Sequence, residues 1–150
     1  DLERLRKIPE RSLYFNLTGY HKAQEKGGLL FTPAIPAHYA LDVALDELIE
    51  ETVASRVQRY ADAAKILRTG FKDIGLEFLI PEGWRSNCLT GLRLPEGVSY
   101  EKLHAELKGN GFVIYAGQGI LSDNIFRIAN MGDINQEEFQ RFLKELKTIC

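Results

Sequence analysis

One arginine interrupts an apolar run. If NIFRIAN, residues 124–130, is a strand, its alternate side chains share a face, so Arg127 falls with Ile125 and Ala129 while Phe126, Ile128 and Asn130 point the other way. A guanidinium is permanently charged, and its fork of N–H donors matches the two oxygens of a carboxylate or phosphonate, so the position suits anion capture. By pattern alone a structural ion pair, or an edge-strand arginine lifting its head to water, is the more common use of such a residue. Thr32 is the second candidate. It precedes Pro33, which favours an extended backbone and removes a nearby N–H, so its hydroxyl is free to meet an anion or to cap a helical turn beginning at Pro33. The glycines of GQG, 117–119, lack the rest of a phosphate-binding fingerprint and read as turn chemistry. His21, His38 and His104 have no metal-ligand spacing, and no serine sits in a nucleophile elbow, so no complete catalytic set is expected within the chain.

The elements that must position these residues follow from periodicity. SLYFNL reads as one short strand and HKAQEKGG as a polar loop. From Pro36 onward, apolar residues recur at helical spacing through Leu41, Leu45 and Leu48 and then Val57, Ala64, Leu67 and Phe71, which predicts one very long helix or two. Gly75 ends the pattern. LEFLI reads as a strand, PEGWRSN as a loop in which Trp84 packs, and CLTGLRL as a strand with Cys88, Thr90, Leu92 and Leu94 on one face. Ser99 is the expected N-cap of YEKLHAELK, and FVIYAG and NIFRIAN are the next two strands. Asn135 caps the last helix, Glu138 completes a capping-box pattern, and Phe139, Phe142, Leu143 and Leu146 form its buried stripe. Strands beside helices without regular βαβ spacing predict an α+β fold: a long helix followed by a small, mainly antiparallel sheet with helices on one face. Residues 1–34 read as a connecting arm and 35–150 as the folded domain.

Composition excludes several classes. The 150 residues are 45% hydrophobic and 27% charged with a formal net charge of -2, an ordinary globular balance without the basic footprint that nucleic acid or an anionic membrane requires. Cys88 and Cys150 are the only cysteines, too few for a disulfide framework or a zinc site, and a reducing cytoplasm is the expected compartment. The chain begins at Asp1 and its only methionine is Met131, so it is expected to be a processed product or a fragment.

Three stretches, FTPAIPAHYALDVALDELIEE, GFVIYAGQG and IFRIANMGDI, in this order and separation, resemble the C-terminal part of class V, fold type I aminotransferases, from about Ser12 to the last helix. GFVIY followed by FRI-x-N-x-G-[DE] is most similar to the 2-aminoethylphosphonate:pyruvate transaminases, as is RSLYFNL; glyoxylate-using relatives tend to carry histidine where Asn130 stands. The FTP segment departs from the more usual TPP or TSP.

The resemblance implies a C-terminal small domain, with residues 1–34 as arm and dimer-interface segment, and pyridoxal 5'-phosphate as cofactor. It implies an amino donor and a 2-oxo acid as substrates and a homodimer as assembly, with neither nucleic acid nor membrane. It assigns Arg127 to the substrate's anionic group and Thr32 to the cofactor phosphate across the dimer interface. The family's Schiff-base lysine, its aspartate for the pyridine nitrogen and its ring-stacking aromatic all precede the matched region, and none of Lys7, Lys22 or Lys26 sits in the corresponding motif. The segment alone is therefore expected to be inactive. The alternatives are an alanine- or serine-glyoxylate type aminotransferase, or a non-enzymatic α+β module that uses Arg127 to bind an anion or to pair subunits.

Overall fold

The computed structural model describes residues 1–150 and divides into two compact units, Asp1–Glu50 and Glu51–Cys150.

In the first unit, α1 (Leu2–Arg6) is capped by the Asp1 carboxylate and α2 spans Leu17–Glu25. Two expectations fail here. SLYFNL is not a strand, because the Ser12 hydroxyl accepts from the Phe15 amide at 3.2 Å and Asn16 accepts from the Gly19 amide at 3.0 Å, so local side-chain bonds turn the backbone into a helix start. HKAQEKGG is mostly the second half of α2 rather than a loop. Phe31 packs beside Tyr14 and Tyr20, with ring centroids 4.9 and 5.8 Å away. Helix α3 (Ile35–Glu51) buries none of its side chains within the chain.

The long helical pattern resolves into two helices because Thr52 leaves helical geometry at φ 69, a left-handed value that costs a β-branched residue about 1–3 kcal/mol. Its hydroxyl accepts from the Ser55 amide and so starts α4 (Val53–Ile74). Gly75 ends α4 in the left-handed conformation, as expected. Beside the junction Glu51 is gripped by two arginines, Arg56 Nε at 2.5 Å and Arg59 Nε at 2.6 Å, and Arg59 also donates to the Gly132 carbonyl. Hydrogen bonds from Arg59 and then Arg56 hold the Glu51 carboxyl down at about 2, against an ordinary 4.5. A depressed carboxylate stabilises the fold above its unfolded value and loses that contribution as pH falls. Replacing Glu51→Gln is therefore expected to lower the melting temperature near neutrality and to flatten its dependence on pH between 4.5 and 2, measured by thermal unfolding monitored by circular dichroism.

The second unit is a three-stranded antiparallel sheet in the order β1 (Leu89–Arg93), β3 (Ile125–Ala129), β2 (Tyr115–Ala116). LEFLI contributes only a bridge, Phe78 to Leu92, although along the β1 edge the Leu79 N–H donates to the Gly91 carbonyl and the Arg93 N–H to the Glu77 carbonyl. The FVIYAG strand shortens to two residues because Gly117 starts a tight turn; a Cβ there would lie 2.2 Å from the Leu121 carbonyl oxygen, so only glycine fits. Helix α5 (Tyr100–Gly109) begins at the Ser99 cap and α6 (Gln136–Ile149) at the Asn135 cap. The Glu138 side chain binds Arg141, which takes it away from the expected capping box.

Strand alternation then builds the core. Leu92, Phe126 and Ile128 face one way and pack with Leu67 and Phe71 of α4, Leu103 and Leu107 of α5, and Phe142 and Leu146 of α6. Gly70 lets α4 and α6 approach closely, since a Cβ there would overlap the Leu143 side chain at 2.4 Å. No helix is long and apolar enough to cross a membrane.

Candidate active site on the open face of the sheet

With helices on one side of the sheet, the residues that alternate with the core face the other. Register pairs Arg127 with Gly91 on β1 and with Tyr115 on β2, and directly opposed residues share a face. Gly91 has no side chain, and the Leu79 side chain packs over it, 3.4 Å from where a Cβ would stand. Arg127 lines a concavity of about 370 Å³ together with Phe78, Leu79, Trp84, Arg85 and Ile125.

Within the chain, Arg127 is held at one end only. Its Nε donates to the Ala116 carbonyl at 2.8 Å, which fixes the head. Its two terminal nitrogens have no partner in the chain, and none of the chain's ion pairs includes it. The guanidinium is thus half-buried and held by one carbonyl, and its terminal N–H donors lie beside an apolar hollow without an acceptor from the chain.

Asn130 anchors this strand. It is 2% exposed; its side-chain amide donates to the Asn87 carbonyl at 2.9 Å and the Tyr60 carbonyl at 3.3 Å, and its backbone N–H donates to Cys88. One residue thereby ties the end of β3 to α4 and to the loop before β1. Arg68 of α4 reaches the same loop, donating to the Ser86 carbonyl and the Asn87 side chain. Trp84 does not pack as expected: it is 87% exposed.

Arg85, in that loop, was not singled out by the sequence. Its Nε donates to the Ile80 carbonyl at 2.8 Å, its guanidinium lies 3.9 Å from the Phe78 ring centroid, and its enclosed Nη1 has no partner. A cation amid the aromatic and apolar residues of PEGWRSN is the only signal that could have marked it.

Thr32 belongs to the first unit. It is exposed, and its hydroxyl caps nothing: α3 starts three residues later, with Ala34 accepting from the His38 amide. No group of three or more His, Cys, Asp or Glu side chains is placed to hold a metal.

No protein-family model matches the chain. Individual proteins do. It is 36% identical over 142 residues to the 2-aminoethylphosphonate–pyruvate transaminase of Syntrophobacter fumaroxidans, covering 91% of this chain and 38% of that protein. It is 36% identical over 127 residues to an uncharacterized aminotransferase of Methanocaldococcus jannaschii, covering 83% of this chain and 33% of that protein. Among solved structures, ureidoglycine–glyoxylate aminotransferase from Bacillus subtilis superposes over 97% of this chain and 38% of its own, at a TM-score of 0.85 and 26% identity. The chain matches the C-terminal part of the class V aminotransferases. As an aminotransferase segment it spans a little over a third of these relatives, and its α+β architecture is the one expected from the sequence.

Proposed function

We propose that the complete protein containing this aminotransferase segment transfers the amino group of 2-aminoethylphosphonate to pyruvate, giving phosphonoacetaldehyde and alanine. The observation that carries this reading is the Arg127 fork, fixed by one carbonyl and unpaired over an apolar hollow, in a chain related to several 2-aminoethylphosphonate–pyruvate transaminases. Arg127 grips the anionic end of the donor and so fixes where its amine points, and the apolar wall around the fork keeps water from competing for it.

Pyridoxal phosphate, when bound, supplies the electron sink that stabilises a carbanion while the amino group moves. On this chain only Thr32 is assigned to it, and a hydroxyl that is exposed and without a partner fits a phosphate contact. In this reading residues 1–34 form the arm through which two copies dimerise, Thr32 serves the cofactor of the other copy, and residues 35–150 are the small domain. The remaining cofactor-binding groups come from outside the segment, which alone turns nothing over. Two cysteines left as free thiols accord with a cytoplasmic setting.

A second reading takes support from the solved structures, which include the ureidoglycine–glyoxylate enzyme and an alanine–glyoxylate aminotransferase from Nostoc sp.: the acceptor is glyoxylate. The amino-donor profile of the complete protein separates them. Turnover of 2-aminoethylphosphonate with pyruvate is expected; turnover of alanine or serine with glyoxylate, and none of the phosphonate, reverses the assignment.

A further inference from the structure

Arg127 does not face the hollow alone. Arg85 lines the same concavity, and neither guanidinium has a carboxylate within 4.0 Å. Glu82, the acidic residue nearest in sequence to Arg85, pairs with Lys72 instead. Two permanent positive charges thus border one largely apolar recess, a setting that favours a counter-charge between them. Arg85 is also held rigidly, by its bond to Ile80 and its stack on Phe78; Nη1 is enclosed, and Nη2 is the other nitrogen left without a bond in the chain. The loop that carries it is pinned in turn by Arg68 and Asn130. Burial first and then the like charge of Arg85 push the Arg68 guanidinium below its ordinary value, with Glu82 opposing.

We propose that Arg85 is a second guanidinium of the substrate anion site, and that the hollow it shares with Arg127 selects a doubly charged phosphonate head group over a singly charged carboxylate. The inference rests on the reading of Arg127 as the anion clamp and adds to it a residue that sets specificity. One guanidinium balances a carboxylate; two balance a phosphonate dianion, whose three oxygens offer acceptors to both forks at once. Arg85 approaches from the loop before β1 and Arg127 from β3, so the two do not draw on the same neighbours for support.

The test is equilibrium binding of ethylphosphonate and of propionate to the complete protein by calorimetry, at a pH alkaline enough to ionise the phosphonate twice. Wild type is expected to prefer ethylphosphonate. Arg85→Gln is expected to weaken ethylphosphonate by roughly 10- to 100-fold, the worth of one hydrogen bond to a charged group, while leaving propionate nearly unchanged. Arg85→Lys, which keeps the charge, is expected to retain most of the preference, and Arg127→Lys to weaken both ligands. Equal binding of the two anions by wild type overturns the proposal without recourse to any variant. So does a loss in Arg85→Gln that is the same for both ligands, or absent for both, while Arg127→Lys still weakens them; the clamp then stands and only the role of Arg85 falls. Indifference of both ligands to Arg127→Lys removes the underlying reading as well.

Discussion

Arg127→Lys in the complete protein is expected to lower kcat/KM for the amino donor by roughly 10- to 100-fold, the worth of the one hydrogen bond to a charged group that a lysine cannot replace. Lysine keeps the charge but presents one ammonium where two parallel N–H groups are needed, so it cannot hold both oxygens in a fixed plane. Stability is expected to change by no more than about 1 kcal/mol, because the only bond the side chain makes within the chain is the one to Ala116. Steady-state kinetics and a denaturant titration on the same preparation check both halves. A stability loss that matches the loss of turnover would mean that Arg127 supports the sheet rather than the substrate.

Asn130→Asp is expected to be the more damaging change to the fold, at about 3–5 kcal/mol near neutrality, the scale of an uncompensated buried charge. The side-chain amide of Asn130 donates to two carbonyls. A carboxylate in its place has no donor and turns a negative oxygen toward each of them. Because burial among acceptors raises the folded-state pKa of the new acid, the penalty is absent where both states are protonated and grows as pH rises above the unfolded value, about 3.9. Urea denaturation should therefore show the variant approaching wild type at acid pH and diverging above it. Asn130→Ala, which leaves the two carbonyls unpaired without adding a charge, is expected to lose only about 1–3 kcal/mol and to show no such pH dependence.

The sequence disclosed the parts of the site that depend on regular periods. Alternation in NIFRIAN was enough to place Arg127 opposite Phe126 and Ile128, and the same alternation in CLTGLRL placed Thr90 and Leu92 on the core side. Helix starts at Ser99 and Asn135 were equally visible, since a capping side chain acts within three residues of itself. What stayed hidden depends on contacts between distant segments. The amide of Asn130 meets a carbonyl seventy positions away on α4, and Arg85 joins the hollow because Phe78 and Ile80 fold back beneath it; neither leaves a periodic trace. LEFLI misled for a related reason. An apolar run of strand-forming residues reads as a full ladder partner, yet Pro81 follows at once, and only a bridge and a few edge bonds form. In SLYFNL, side-chain oxygens of Ser12 and Asn16 compete successfully with any strand partner.

Gly91 sets a limit that an engineer could exploit. A methyl group there would meet Leu79 at 3.4 Å, an ordinary contact, whereas a branched or longer side chain would press on Leu79, which lines the same hollow as Arg127. With Arg127 as the proposed clamp, a larger residue at this one codon is expected to narrow the hollow and favour compact anions over bulky ones, with the arginine itself left unchanged.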